Sequence, residues 1–219
     1  MKNLRKIIVM LVLVIFSVAV IADDRLEDII KDGVIRVGTT GDYRPFSHLI
    51  DGEYEGYDIE VAKHIAKEIG VEVEFVPTTW KTLLDDLEDD KFDMAMGGIS
   101  RNVSRKLRAE LSKPYLTYGK TPIVRTEDAN KYTSLAAIDQ KGVRVGVNIG
   151  GTNEKFADAN IKNAEIIRYK GNLEVPEAVM AREVDVMISE TPEGIHYENS
   201  YPELASPMTE TPMTKSQLG

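Results

Sequence analysis

The same short pattern, a strand running into a glycine-rich loop, occurs in the same order in both halves of the chain, and this echo restricts the fold more than any other feature. GVIRVGTTG at 33–41 is matched by GVRVGVNIGG at 142–151, and KFDMAMGGIS at 91–100 by EVDVMISETP at 183–192. Helix-like stretches lie between them. Ile59, Ala62, Ile65, Ala66 and Ile69 share one face of 58–69, and Gly70 stands where a C-terminal cap belongs. Residues 71–77 alternate like a strand and 80–87 read as a helix; in the second half Thr152 can cap a helix through 159, 164–169 are strand-like and 175–181 form a short helix. Strands and helices alternating at this spacing predict βαβ units with a parallel sheet, and therefore an α/β chain of two lobes with a ligand cleft between them.

In open parallel sheets ligands bind beyond the carboxyl ends of the strands, where the echoed loops lie. One of those loops poses a question of its own. The apolar run 184–188 reads as a buried strand, and SETPEG at 189–194 follows it with two acids, Glu190 and Glu193, around Pro192. Both acids face the same cleft as GTTGDYRPFS, MGGIS and NIGGTNEKF. Tyr43, Phe46 and Trp80 offer aromatic surface there, with Phe46 read as core and Trp80 as either packing or a cover for a ligand ring. Gly98, next to Ser100, lets backbone approach a ligand. Gly150 and Gly151 precede a helix start whose free N-H groups favour an anion, with Thr152 as cap and Asn153 as a further donor. Arg101, Lys106 and Arg108 read as a solvated face, and His64 as a surface or boundary residue.

Composition then removes whole classes of chemistry. With no cysteine there are no disulfides, thiolate nucleophiles or Cys-based metal sites, and His48, His64 and His196 have no ligand spacing, so neither metal nor cofactor is expected. Residues 1–22 read as a signal peptide, with Lys2, Arg5 and Lys6 ahead of the apolar stretch 7–20. This predicts a periplasmic protein without stable membrane insertion after cleavage. Cleavage removes three positive charges and no acids, moving the formal charge from −9 to −12, a balance that argues against nucleic acid as partner.

GDYRPFS, GYDIEVAK, PTTW, MGGIS followed by Arg105, and SKPYL together resemble the periplasmic amino-acid-binding proteins of ABC transporters, the family 3 solute-binding proteins. YGKTPI at 118–123, IGGTNEKFADANIK at 149–162 and Glu193 are similar to the cyclohexadienyl dehydratases, enzymes built on that fold. The resemblance implies a type II periplasmic-binding-protein architecture, with lobe 1 at 23–120, lobe 2 at 121–207, and 208–219 beginning a return to lobe 1. The family continues from there through a further strand and C-terminal helices. The C-terminal part is accordingly expected to be missing, either because this is a fragment or because the chain is an inactive paralogue, and apolar surface on lobe 1 is expected to be exposed.

The resemblance further implies a carbon-oxygen lyase that converts prephenate to phenylpyruvate, arogenate to phenylalanine, or both, by joint loss of water and carbon dioxide. Glu193 matches the general acid, Lys120 and Asn153 match dehydratase positions near the hydroxyl or the departing carboxylate, and Arg105 matches the grip on an α-carboxylate. Trp80 would cover the ring, with Tyr43, Gly98, Ser100, Thr152 and Glu190 completing the substrate site. An ordinary glutamate with pKa ~4.3 is protonated in only about one molecule in 500 at neutral pH, so the acid role requires a rise of roughly two units or more. The competing hypothesis is a non-catalytic amino-acid receptor of an ABC transporter, in which Glu190 would hold the ligand's ammonium group. The pair Lys120 and Glu193, which a receptor does not need, discriminates the two. A homo-oligomer is left open.

Overall fold

The computed structural model describes residues 25–219; the segment 1–22, read above as a signal peptide, lies outside the described residues. Strand Val34–Thr39 is the centre of the first unit, flanked in parallel by Glu72–Pro77 and Met94–Ala95. Helix Tyr57–Ile69 buries Ile59, Ala62 and Ala66, and Ala62 and Ala66 pack with Ile29, Ile35 and Val37. Its end is set by Gly70 at φ 78, a left-handed cap that glycine adopts without strain. An antiparallel ribbon of Asp42–Tyr43, Ser47–Ile50 and Glu53–Glu55 projects beside this sheet and carries Tyr43 toward the second unit. On the outer face of the first unit lies an apolar groove of about 600 Å³, lined in part by Val61, Ile65, Leu83, Leu87 and Met96, with Gly219 at its border.

The second unit is a five-stranded sheet in the order Glu165–Tyr169, Arg144–Asn148, Val186–Glu190, Lys120–Arg125, Leu204–Ala205. The first three strands are parallel, as the alternation predicts, and Leu204–Ala205 runs the same way, but Lys120–Arg125 between them is antiparallel to both its neighbours. A parallel neighbour needs a helical crossover. Leu116–Tyr118 pairs outside this sheet, with Ser216–Leu218, so Lys120–Arg125 enters directly after Gly119 with no crossover from an earlier strand of the same sheet to set its direction. Among the described residues no helix is long and apolar enough to cross a membrane.

The stretch SETPEG is not a loop. The strand spans Val186–Glu190, two residues later than the apolar run suggests, and helix Thr191–Ser200 starts at once with Pro192 in its first turn. Proline there lacks an N-H that would have no partner in any case, and Glu193 in the same turn suits the positive end of the helix. Two further boundaries move. The helix expected at 80–87 spans Leu83–Glu88, leaving Trp80 in the turn before it. Gly151, not Thr152, is the cap of helix Thr152–Asn160, which puts Thr152 inside the first turn with its hydroxyl available for other bonds.

Candidate active site

Period-two alternation along Val186–Glu190 sorts the site. Val186 and Ile188 pack in one core cluster and Met187 in another, so Ser189 continues the Met187 face and Glu190 the Ile188 face. Antiparallel pairing then sets Lys120 directly opposite Glu190, which brings the two side chains together on one face. The Lys120 ammonium bonds closely to Glu190 Oε1 and Asn153 Oδ1, and donates to Thr152 Oγ1 at 2.9 Å. Thr152 Oγ1 donates in turn to Glu190 Oε1 at 2.8 Å, and Tyr43 OH reaches Glu190 Oε2 from the first unit at 2.6 Å.

Lys120 and Glu190 are both buried. Burial works to raise the Glu190 pKa, but the facing ammonium and the two hydroxyl donors outweigh it and hold the carboxyl below its ordinary range. Burial also lowers the Lys120 pKa, against the opposing pull of Glu190. The pair is an ion pair with its hydrogen bonds filled, the condition under which a buried pair is tolerated.

Glu193 sits one layer deeper, on the Ser189 face, with 0% of its surface exposed. Ser189 Oγ bonds one carboxyl oxygen closely, and Asn172 Nδ2 donates to the other at 2.6 Å. Burial, with a smaller push from the Glu190 charge, raises its pKa to about 8 against the opposing effect of the two donors. The carboxyl is thus mostly protonated at neutral pH. The rise needed for a proton donor is present, and burial is its main cause.

Tyr43, Trp80, Gly98, Ser100, Thr152, Asn153 and Glu190 line one cavity, joined by Asn148, Gly151 and Asn172. Its free volume, about 20 Å³, is that of roughly one water, so a ring-bearing ligand enters only if the walls part. Trp80 Nε1 donates to Asp42 Oδ1 at 2.8 Å, and its ring meets Tyr43 edge-on at 5.8 Å. Phe46 is buried core, as read. Arg105 does not line this cavity. Its guanidinium lies 5.8 Å from the Trp80 ring centre, donates to the Ser100 carbonyl at 2.9 Å, and borders the outer apolar groove. It is buried, desolvation lowers its pKa, and no carboxylate among the described residues forms a salt bridge with it.

The Gly97-Gly98 turn is fixed by Asp58, whose Oδ2 accepts from both amides at 3.0 and 2.6 Å. Gly98 has φ 72, and a Cβ there would run into the Tyr43 and Phe46 rings. Gly98→Ala is expected to cost about 1–3 kcal/mol of stability, measured as a lower urea midpoint. An unchanged midpoint would mean that the turn is not held in this conformation.

Asp42, Asn172 and Ser189 carry no periodic signal and escape the sequence reading; only the position of Ser189, ahead of two acids at a strand end, offered a hint. Among the described residues no group of three His, Asp or Glu side chains is placed to hold a metal ion.

Residues 35–211 match the family described as bacterial extracellular solute-binding proteins, family 3. The chain is 42% identical over 185 residues to the cyclohexadienyl dehydratase of Pseudomonas aeruginosa, covering 84% of this chain and 69% of that protein. Among solved structures it is similar to an ancestral amino acid-binding protein described as a precursor of cyclohexadienyl dehydratase, with TM-score 0.82, 36% identity and coverage of 89% and 83% of the two chains. An ancestral cyclohexadienyl dehydratase is 52% identical, with TM-score 0.50 and coverage of 89% and 81%.

Proposed function

The chain belongs to the bacterial extracellular solute-binding proteins, family 3, as a relative of cyclohexadienyl dehydratase, and from that premise we propose that it is a periplasmic dehydratase acting on prephenate, arogenate or both. The observation that carries the proposal is Glu193: a fully buried carboxyl, protonated at neutral pH, bonded to Asn172 of the cavity wall, with the buried Lys120 likewise behind the wall and bonded to Thr152, Asn153 and Glu190. A receptor has no use for a stored proton.

In the proposed reaction Glu193 gives its proton to the ring hydroxyl, the C–O bond breaks and water leaves. The ring carboxylate departs as carbon dioxide, and the electron pair of its C–C bond completes the aromatic ring. Glu193 is left as a carboxylate and recovers its proton from solvent. A general acid of this kind contributes roughly 10²–10⁴ in rate. Lys120 and Asn153 would bind the hydroxyl or the departing carboxylate, and Arg105, buried without a carboxylate partner, would receive another carboxylate once the walls part. An enclosed charge-assisted bond of that kind is worth about 1.5–3 kcal/mol. The second reading, an amino-acid receptor, draws support from the likeness to the ancestral amino acid-binding protein.

One assay separates the two. Prephenate incubated with the mature protein is expected to give phenylpyruvate, followed by its ultraviolet absorbance in alkali. Tight binding of an amino acid with no turnover of prephenate or arogenate would establish the receptor instead.

A further inference from the structure

Glu193 belongs to the second unit, yet one of its two hydrogen bonds comes from a residue that is itself gripped by the first. Asn172, in the turn between strand Glu165–Tyr169 and helix Glu174–Met180, is almost wholly buried. Its side-chain amide has two hydrogens, and each has an acceptor: Glu193 Oε1 at 2.6 Å and the backbone carbonyl of Asp42 at 3.1 Å. Its backbone N-H adds a third link, to Asp42 Oδ2 at 3.0 Å. The Asp42 carboxylate is fixed from the other side by Trp80. The remaining capacity of the amide, Oδ1, is buried without a partner among the described residues, and Asn172 lines the cavity, so one acceptor is left for a ligand hydroxyl.

We propose that Asn172 is a positioning residue that makes the orientation of the Glu193 carboxyl depend on contact between the two units. This rests on the dehydratase reading only for its kinetic consequence. With the units in contact, Asp42 holds the amide and the amide holds the acid. With them apart, the Nδ2 hydrogens lose one acceptor, the backbone N-H loses another, and the acid keeps Ser189 as its only fixed partner. The proton is thereby aimed only when the site has closed around its ligand, which guards against the acid facing water that has entered with an open cleft.

The test reads the acid directly. In the unmutated protein at pH 6 the C=O stretching band of the protonated carboxyl is measured by infrared difference spectroscopy and assigned by its loss in Glu193→Gln. Asn172→Ala is expected to shift the band to higher frequency, because a donor is lost. Asp42→Ala removes the Oδ2 acceptor of the Asn172 N-H together with the Asp42 charge, while Asp42→Asn removes the charge and keeps a side-chain acceptor. Asp42→Ala is expected to shift the band in the same direction by more than Asp42→Asn, and in an Asn172→Ala background the two Asp42 substitutions are expected to act alike.

In kinetics each single alanine substitution is expected to lower kcat for prephenate by about 10- to 100-fold, with the double variant no worse than the poorer single one. If Asp42→Ala shifts the band no more than Asp42→Asn, or the losses in kcat multiply, the coupling is overturned. If Asn172→Ala does not fold, the comparison of Asp42→Ala with Asp42→Asn decides, since the through-space effect of the Asp42 charge on Glu193 is lost in both. An unmutated protein that turns over no prephenate while its band still responds more to Asp42→Ala than to Asp42→Asn would overturn the dehydratase reading and leave the coupling standing.

Discussion

Replacing Glu193 with glutamine is expected to lower prephenate turnover by about 10³-fold or more and, at the same time, to make the folded protein more stable at alkaline pH. The two effects have one origin. An unfolded glutamate ionises near pH 4.3, whereas Glu193 in the folded protein keeps its proton to about pH 8. Below pH ~4 the group is neutral in both states and its burial costs nothing electrostatic. As pH rises toward about 8 the unfolded chain gains by ionising and the folded one does not, so stability declines across that window. The loss amounts to something on the order of 3 to 5 kcal/mol at its full extent. Glutamine has the shape of the protonated acid, can accept from Asn172 and donate to Ser189, and has nothing to ionise. Urea unfolding at pH 5 and pH 9 should therefore show the gap between the two proteins opening with pH. The kcat profile of the unmutated enzyme should fall on its basic side near pH 8. Parallel stability curves for the two proteins would mean that Glu193 is ionised when folded, and the acid role would fall with them.

The second large effect is expected at Lys120. Lys120→Met leaves the Glu190 carboxylate buried with only hydroxyl donors from Tyr43 and Thr152, and removal of one partner from a buried ion pair typically costs about 3–5 kcal/mol. Adding Glu190→Gln to Lys120→Met removes the stranded charge and should recover most of that loss, with prephenate turnover still absent. Thermal unfolding of the two single variants and the double one measures the coupling. A double variant no more stable than Lys120→Met would show that the cost lies in packing and not in the charge.

Much of the frame was legible from local pattern. The stripe from Ile59 to Ile69 with Gly70 behind it is a helix with a left-handed cap, and the β-branched runs at 34–39 and 144–148 are strands because nothing in them competes with that choice. The acids of SETPEG were legible as a functional pair, but their separation onto two faces was not, since it depends on the strand ending at Glu190 and not at Ile188. The partnership of Lys120 with Glu190 spans 70 residues and an antiparallel register that no local pattern encodes. Asn172 stands in an ordinary polar turn, and its importance comes from what the other unit offers it. Arg105 looked like a cavity residue because the resemblance placed it there, yet its guanidinium lies behind Ser100.

Asp42 and Tyr43 are consecutive in one two-residue strand, and both reach over to the opposite half, one to Asn172 and the other to Glu190. Two grips on adjacent residues are hard to release singly, because the short ribbon that bears one bears the other. Unlatching should then be an all-or-none step, and departure of the aromatic product would wait on it. Under this arrangement the first round of catalysis in a rapid-mixing experiment would run ahead of the later ones, and solvent viscosity would slow only the later ones.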